Sequence, residues 1–191
     1  MAVEDNGVLR FLKEVDARLV AEATEGETLA LYLLGRSALI LGRHVGLMTK
    51  DVDVVNDDRS RLLGVALAIF GKQGTSRRES GLYLEAVSSG LPPLPSGYQS
   101  RAIEVPGPWR LLRPRRLEDH DLVVSKLRRF HAGDRQDVRI LCDDGGITED
   151  TLRERFELAH SFSDREAPDV IKAEAHLYAV IDYLEGRRRD L

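Results

Sequence analysis

The sequence predicts an α/β (α+β) fold, in which strands and helices alternate up to about residue 142 and only helices follow. Short apolar runs typical of strands are separated by stretches with the three-and-four apolar spacing of amphipathic helices. From residue 143 onward only the helical spacing recurs. We therefore expect a core over residues 1–142 that includes an N-terminal helix, and a helical extension over residues 143–191 that packs on the core as one unit.

Four segments have the character of strands. The run TLALYLL is apolar enough for a buried strand, and DVDVV follows it after a glycine-containing turn. GLYLEAV and RAIEV alternate with a period of two, and the Pro, Gly and Ser residues between them predict a loop. These four segments are the expected strands of the sheet.

Helical spacing predicts seven helices. The first spans about Val8 to Ala23, and short ones cover RSALILGR and DRQDVRILCDD. Longer ones cover DDRSRLLGVALAIFGKQG and LEDHDLVVSKLRRF, and Gly133 is expected to break the latter. In the C-terminal extension, Thr148 has the position of a helix cap. Ser163 and Glu166 have the spacing of a capping box, which predicts that the last helix begins there.

Composition restricts the class of protein. Of the 191 residues, 42% are hydrophobic and 31% are charged, and Cys142 is the one cysteine, which excludes an internal disulfide and a cysteine-based zinc cluster. No apolar run approaches the roughly 20 residues that span a bilayer. The N-terminal segment is too charged for a signal peptide. We expect a cytoplasmic protein without a membrane partner.

Charge is unevenly distributed along the chain. The formal net charge is −4, yet residues 101–139 contain ten Lys or Arg against six Asp or Glu. One interpretation is a face that attracts a polyanion such as RNA. The alternative is a solvated arginine-rich surface without a binding function.

Two aspartates one residue apart indicate a metal site. On a strand, Asp51 and Asp53 point to the same side, where their charges repel and a divalent cation such as Mg²⁺ relieves the repulsion. In the preceding turn, Gly35 lets the backbone approach a triphosphate and the Ser37 hydroxyl can donate to a phosphate oxygen. The alternative is a D-x-D pair on an exposed strand end without a function.

The turn and the aspartate pair resemble the opening motif of the DNA polymerase β-like nucleotidyltransferases. The matching residues are Gly35, Ser37, Thr49, Asp51 and Asp53. The segments DLVVSKL and GDRQD, with LPSGYQSRAIEV before them, are similar to a small bacterial group related to the AbiEii proteins. That group includes the DUF6036 proteins and the mycobacterial MenT-type toxins. The resemblance covers roughly residues 29–142 and implies a small mixed sheet of the nucleotidyltransferase type.

The resemblance implies a role for each matching residue. It implies metal binding by Asp51 and Asp53, with one or two Mg²⁺ ions, and phosphate contact by Lys126. It implies a catalytic or orienting acid at Asp137. The residues implied in nucleotide binding are Gly35, Arg36, Ser37, Thr49 and Lys126.

Two features depart from the pattern of that group. Arg36 stands where the second glycine of the turn is usual, so its side chain either crowds the phosphates or clamps them. The wider superfamily also uses a third carboxylate on a later strand. Glu85 and Glu104 are both candidates, and the sequence does not choose between them.

Lys126 is unusual on physical grounds as well. It lies in an apolar helical segment next to Val124 and Leu127, where its charge needs a partner or a path to water. A phosphate or Asp137 would satisfy it. The alternative is an ion pair with Asp137 or Asp134 that holds two helices together, and Asp134 is equally a candidate N-cap after Gly133.

The sequence therefore predicts an Mg²⁺-dependent nucleotidyltransferase that moves a nucleoside monophosphate from a nucleoside triphosphate to an acceptor hydroxyl. The resemblance implies that the acceptor is the 3′ end of a tRNA and that the protein is a toxin with a cognate antitoxin. Two alternatives stay open. One is a nucleotide-binding or antitoxin-like module on the same fold without turnover, and the other is an enzyme that nucleotidylates proteins.

Overall fold

The computed structural model describes residues 6–42, 46–55, 60–76, 81–88 and 92–191. The chain divides into two compact units. The first unit comprises Met1–Ser88 and Ala102–Leu117, and the second comprises Ser89–Arg101 and Glu118–Leu191.

A five-stranded mixed sheet forms the centre of the first unit, which confirms the predicted α/β (α+β) class, although only four of its strands were predicted. Its strands are β1 (Leu29–Leu33), β2 (Asp51–Val55), β3 (Tyr83–Ala86), β4 (Ile103–Glu104) and β5 (Leu112–Arg116). They lie in the order β3-β2-β1-β5-β4. The β1–β5 and β2–β3 pairs are parallel, and the β1–β2 and β4–β5 pairs are antiparallel.

Three helices pack in the first unit: α1 (Gly7–Leu19), α2 (Gly35–Leu41) and α3 (Arg61–Phe70). α2 contacts β2, α3 contacts β3, and α1 contacts both helices. The Asn6 side chain caps α1 by accepting from the Leu9 amide at 2.9 Å. Phe11 of α1 meets Phe70 of α3 edge to face, with 5.8 Å between ring centroids. The predicted amphipathic helix therefore buries its apolar stripe as expected.

Strand β5 was not expected from the sequence. Its LRPRR segment contains three arginines and a proline, and proline cannot donate to a strand ladder. The structure nevertheless places β5 between β1 and β4, with Leu112 and Pro114 buried and Arg113 exposed. The Pro114 carbonyl accepts a hydrogen bond from the Val105 amide at 3.0 Å. The alternation of burial is that of a strand, although the composition is not.

The second unit is helical. Its helices are α4 (Tyr98–Arg101), α5 (Asp119–Leu127), α6 (Ala132–Asp143), α7 (Glu149–Ala159) and α8 (Pro168–Leu184). α5 contacts α6, α7 and α8, and all residues from 120 to 127 are buried. α5 is therefore the central helix of this unit. The predicted division of the chain after residue 142 stays a prediction, while the compact unit described here joins α5 and α6 with the two later helices.

Three predictions about helix boundaries are wrong. The break after α5 lies at Phe130, while Gly133 is inside α6. Asp134 is not the N-cap of α6, because that position belongs to His131. α8 begins at Pro168 rather than at Ser163 and Glu166, since proline is well suited to the first turn of a helix, where its missing amide costs nothing. The predicted loop also contains the short helix α4.

Cys142 is buried in α6, and burial raises the pKa of its thiol to about 12. Cys142 is therefore part of the core of the second unit. Among the residues that the structure describes, no helix has the length and apolar character needed to cross a membrane.

Candidate active site

Three carboxylates meet on neighbouring strands of the first unit. β2 carries Asp51 and Asp53, and the parallel pairing of β2 with β3 aligns Asp53 with Glu85. Each side chain offers an oxygen atom such that all three atoms lie within 4.8 Å of one another. Asp51 and Asp53 are half-buried and Glu85 is exposed. This group is the one set of three potential metal ligands found among the described residues.

The strand order decides between the two candidates for a third carboxylate. Glu104 lies on β4, at the opposite edge of the sheet from β3. Its carboxylate pairs with Arg115, whose Nη2 lies 3.2 Å away. Glu85 is therefore the third acid beside Asp51 and Asp53.

Thr49 orients the first aspartate. Its Oγ1 lies 2.8 Å from Asp51 Oδ1 and 3.0 Å from the Asp51 carbonyl oxygen, and the hydroxyl donates to one of these acceptors at a time. Thr49 thus restricts the rotation of the Asp51 side chain. The predicted contact of Thr49 with a nucleotide stays a prediction.

The glycine turn lies directly against the second aspartate. The Leu34 amide donates to the Asp53 carbonyl at 3.1 Å, which fixes the end of β1 against β2. Gly35 then opens α2 with a φ of +63°. A Cβ atom built on Gly35 would lie 2.2 Å from Asp53 Oδ2, so only glycine fits at this position with Asp53 as it stands. The predicted proximity of the turn and the aspartate pair is confirmed.

The Ser37 hydroxyl has a partner within the protein. Ser37 is buried, and its Oγ donates to the Leu34 carbonyl at 2.9 Å. This bond stabilises the first turn of α2. Contacts of Ser37 and Arg36 with a nucleotide stay predictions.

A second group of charges lies in the other unit. Lys126 Nζ is 2.9 Å from Asp137 Oδ2 and 3.7 Å from Asp134 Oδ1, and all three side chains are at most 6% exposed. This is the ion pair between two helices that the sequence allowed as an alternative to a phosphate contact. The Lys126 ammonium group, together with the Arg129 guanidinium that also pairs with Asp134, balances the two carboxylates, whereas a buried charge without its partner would be costly.

Asp134 also holds the start of α6. Its carboxylate accepts hydrogen bonds from Arg129 Nε and Nη2, both at 2.8 Å, and from the His131 amide at 3.1 Å. Burial acts to raise the pKa of Asp134, but the Arg129 hydrogen bonds and the charge of Lys126 outweigh it and hold the pKa below its usual value. Asp134 is therefore a structural carboxylate between two cations.

A third charged group, which was not predicted, lies in the second unit. Asp121 is fully buried, and Arg101 donates to both of its oxygens, at 3.0 and 3.1 Å. Arg155 Nε lies 3.3 Å from Asp121 Oδ1. Arg101 closes the LPSGYQSR segment and Asp121 opens DLVVSKL, so this cluster connects two segments that carried the resemblance. Sequence spacing could not reveal it, because the partners are distant along the chain.

One comparison with known proteins decides the family. A family model described as "Nucleotidyltransferase of unknown function (DUF6036)" matches residues 10–174. The chain belongs to the DUF6036 family. The predicted class of enzyme, a nucleotidyltransferase, is confirmed. No match to the chain was found among curated proteins or among solved structures.

The basic stretch of this DUF6036 nucleotidyltransferase is largely paired. Six of its ten basic side chains have a carboxylate partner among the described residues of their own unit. The pairs are Arg101–Asp121, Arg115–Glu104, Lys126–Asp137, Arg128–Asp169, Arg129–Asp134 and Arg139–Asp190. The positive charge that remains for a polyanion is therefore smaller than the sequence suggests. RNA contact through this stretch stays a prediction.

The donor set of the DUF6036 nucleotidyltransferase fits a hard divalent cation. Carboxylate oxygens are the ligands that Mg²⁺ prefers, and Asp51, Asp53 and Glu85 bring three of them within 4.8 Å. Three carboxylates at this separation repel one another, and a divalent ion removes the repulsion. These three residues could hold the metal ion that nucleotidyl transfer generally uses.

Proposed function

We propose that the protein is an Mg²⁺-dependent nucleotidyltransferase that transfers a nucleoside monophosphate from a nucleoside triphosphate to an acceptor hydroxyl. The observation that supports this most directly is the convergence of Asp51, Asp53 and Glu85 beside the Gly35 turn. Family membership supports the reaction class, and the carboxylates supply the chemistry that the class needs.

In this proposal Asp51, Asp53 and Glu85 hold one or two Mg²⁺ ions. When bound, such ions neutralise the phosphate charge and favour in-line displacement at phosphorus. Thr49 keeps the Asp51 carboxylate oriented. Gly35 keeps the backbone of the turn close to Asp53, without a side chain between them.

The reaction that we propose is a direct transfer, without a covalent intermediate on the protein. The acceptor oxygen forms a bond to the α-phosphorus, and the bond from that phosphorus to the bridging oxygen of pyrophosphate breaks. The acceptor hydroxyl proton leaves to a base, and pyrophosphate leaves with the electron pair of the broken bond.

The remaining predicted residues complete the proposal. Lys126 contacts a phosphate, and Asp137 orients the Lys126 ammonium group through their 2.9 Å hydrogen bond. The residues Arg36, Ser37 and Thr49 contact the nucleotide. We further propose a tRNA 3′ end as the acceptor, in a cytoplasmic toxin with a cognate antitoxin, because the DLVVSKL and GDRQD segments resemble that group.

Two contacts favour a second candidate, a module that binds nucleotide without turnover. The Ser37 hydroxyl donates to a backbone carbonyl, and the Lys126 ammonium group lies between two carboxylates. During catalysis the Ser37 hydroxyl, which has one donor, would have to exchange this carbonyl for a phosphate, and the positive charge of Lys126 is already balanced within the protein. This candidate predicts binding of a nucleoside triphosphate without incorporation.

A labelling experiment separates these proposals. Purified protein is incubated with Mg²⁺, total tRNA and each α-labelled nucleoside triphosphate in turn. Asp53→Asn is the inactive variant, and Glu104→Gln is the matched control because its carboxylate lies at the far edge of the same sheet. Label on RNA that Asp53→Asn abolishes and Glu104→Gln preserves would support the proposal.

The other outcomes are equally informative. Label on the protein itself would move the acceptor to a side chain. Nucleotide binding without any incorporation would favour the non-catalytic module and contradict the proposed transfer. Equal labelling by wild-type protein and Asp53→Asn would show that the activity does not depend on the acidic group.

A further inference from the structure

The turn between α5 and α6 contains a residue in a strained conformation. Phe130 has a φ of +48° and is the one non-glycine residue with positive φ among the described residues. Side chains with a Cβ atom rarely adopt this region, and a bulky residue there is a genuine outlier. Phe130 is nevertheless 6% exposed, so the surrounding structure must hold it in place.

His176 of α8 makes two contacts with this turn. Its ring stacks on the Phe130 ring, with centroids 4.6 Å apart and planes 29° apart. Its Nδ1 lies 2.6 Å from the Leu127 carbonyl oxygen, and because that oxygen only accepts, Nδ1 carries the proton. Leu127 ends α5, so His176 satisfies one of the carbonyl groups that a helix end leaves without an intrahelical partner.

The same turn sets the distance between the charged residues on α5 and α6. Lys126 is one residue before Leu127, and the Phe130 amide donates to the Lys126 carbonyl at 2.9 Å. Asp134 and Asp137 follow in the first turns of α6. A change in the path of residues 128–131 would therefore alter the 2.9 Å contact of Lys126 with Asp137.

We propose that His176 is a positioning residue for Lys126 and Asp137, acting through the Phe130 turn. The proposal rests on the proposed function insofar as Lys126 and Asp137 take part in nucleotidyl transfer. The structural part of the proposal does not depend on that reaction. It states that His176 keeps the α5–α6 turn in the conformation that pairs Lys126 with Asp137.

Two substitutions separate the contacts that His176 makes. His176→Phe keeps a ring to stack on Phe130 and removes the donor. His176→Asn keeps a donor near the position of Nδ1 and removes the ring, and His176→Ala removes both. Ile171→Ala is the control, because Ile171 is on the same helix and 53% exposed.

The first measurement does not depend on activity. Competitive acetylation with acetic anhydride, read by peptide mass spectrometry, gives the reactivity of Lys126 relative to the exposed Lys172 of α8. In the wild-type protein we expect Lys126 to react at least about tenfold more slowly than Lys172, because it is buried and ion-paired. We expect this ratio to rise about threefold or more in His176→Ala, since local opening of the turn exposes the amine.

The second measurement is steady-state kinetics of nucleotide transfer. A positioning role predicts that His176→Ala lowers kcat about tenfold with little change in KM for the nucleoside triphosphate, because misplacement affects the transition state more than substrate binding. His176→Phe and His176→Asn should lie between wild type and His176→Ala. If His176 had only a structural role, His176→Ala would lower the thermal midpoint of unfolding without a selective decrease in kcat.

Each result decides one question. If His176→Ala fails to fold, His176→Phe and His176→Asn replace it, since each retains one of the two contacts. Unchanged Lys126 reactivity in folded variants would overturn the positioning role. If the wild-type protein transfers no nucleotide while Lys126 reactivity still rises in the variants, the proposed function fails and the positioning of Lys126 stands.

Discussion

The carboxylate of Asp53 occupies the space where a side chain on Gly35 would begin, 2.2 Å from the position of a Cβ atom. The two residues come from different elements, the first residue of α2 and the middle of β2. Antiparallel pairing of β1 with β2 brings them together, because the Leu34 amide donates to the Asp53 carbonyl. Gly35 therefore has two roles: it permits the positive φ of the turn, and it leaves space for the Asp53 carboxylate.

Replacing Gly35 by alanine should disrupt the acidic group. The positive φ alone costs about 1–2 kcal/mol, and the contact with Asp53 adds to this cost or displaces the carboxylate. We expect a loss of stability larger than that of Gly26→Ala, whose glycine has a φ of +76° and no atom within 4 Å of an added Cβ.

Urea unfolding and Mn²⁺ titration calorimetry check this prediction. Gly35→Ala should weaken Mn²⁺ binding by about tenfold or more, which corresponds to about 1.4 kcal/mol. Gly26→Ala should leave Mn²⁺ binding unchanged. Equal effects of the two substitutions on stability and on Mn²⁺ would show that backbone strain, and not the contact with Asp53, limits the site.

Glu85 and Glu104 provide a second matched pair. Both are exposed glutamates on strands of one sheet, but Glu85 lies beside Asp51 and Asp53 while Glu104 pairs with Arg115. Glu85→Gln removes one of three charges at the proposed metal site, so we expect Mn²⁺ affinity to fall about tenfold. Glu104→Gln should change it by less than about twofold. Calorimetric titration of both variants at one ionic strength gives the comparison, and a weaker affinity in Glu104→Gln would contradict the assignment.

The third acid, Glu85, could not be identified from the sequence alone. The local pattern predicted β2, the Gly35 turn and the expectation of a third acid on a later strand. Which acid it is depends on the strand order, which is non-local. The order in turn depends on β5, whose LRPRR segment has neither the composition of a strand nor an apolar run. Tertiary pairing overrides local propensity there.

The predicted boundary between α5 and α6 was wrong for a related reason. Gly133 is a plausible breaker by propensity, yet the chain reverses at Phe130, because stacking on His176 stabilises a conformation that phenylalanine alone disfavours. The partner is 46 residues away in sequence, so no local rule finds it. By contrast, Lys126 stood out as an unpaired charge in an apolar helix, and its ion pair with Asp137 was among the stated alternatives.

Asp16 should contribute strongly to stability although it is not one of the proposed site residues. It is 4% exposed, and its carboxylate accepts from three consecutive amides, those of Arg110, Leu111 and Leu112, at 2.6 to 3.0 Å. Asp16→Ala would leave these amides without an acceptor and should cost about 3 kcal/mol or more. Asp16→Asn should cost less, since it retains one acceptor oxygen.

Urea unfolding at pH 7 measures the effect of Asp16. The control is Glu14→Ala on the same helix, which should change the free energy of unfolding by less than about 0.5 kcal/mol. If Asp16→Ala proves as mild as that control, the three hydrogen bonds would be shown to be replaced by water in the variant.

His160 should make stability depend on pH. Burial lowers the pKa of the His160 imidazole. The ring packs against Phe156 in a tilted arrangement, with 4.5 Å between centroids, and within the described residues its Nδ1 has no hydrogen-bond partner. A folded-state pKa below the usual value of about 6.5 means that the unfolded chain takes up the proton first as the pH falls. The contribution of neutral His160 is therefore fully present above about pH 6.5 and is lost as the pH falls through the lowered pKa.

Comparison of urea midpoints at pH 7.5 and pH 5.5 tests this pH dependence. We expect His160→Phe to lose less stability than the wild-type protein between the two pH values, because phenylalanine keeps a ring to pack against Phe156 and does not titrate. Phe162→Ala, which changes a fully exposed residue close to His160 in sequence and removes no titratable group, should show the pH dependence of the wild type. A pH dependence in His160→Phe equal to that of the wild type would contradict the prediction.

The burial of Cys142 has a practical consequence. The chain has one cysteine, and a thiol with a pKa of about 12 is almost entirely protonated near neutral pH, so maleimide reagents should leave it unmodified in the folded protein. A cysteine introduced at the fully exposed Phe162 would then carry a fluorophore or spin label at one defined place. Spectroscopic measurements on the second unit can therefore start from the natural chain, without first removing a native thiol.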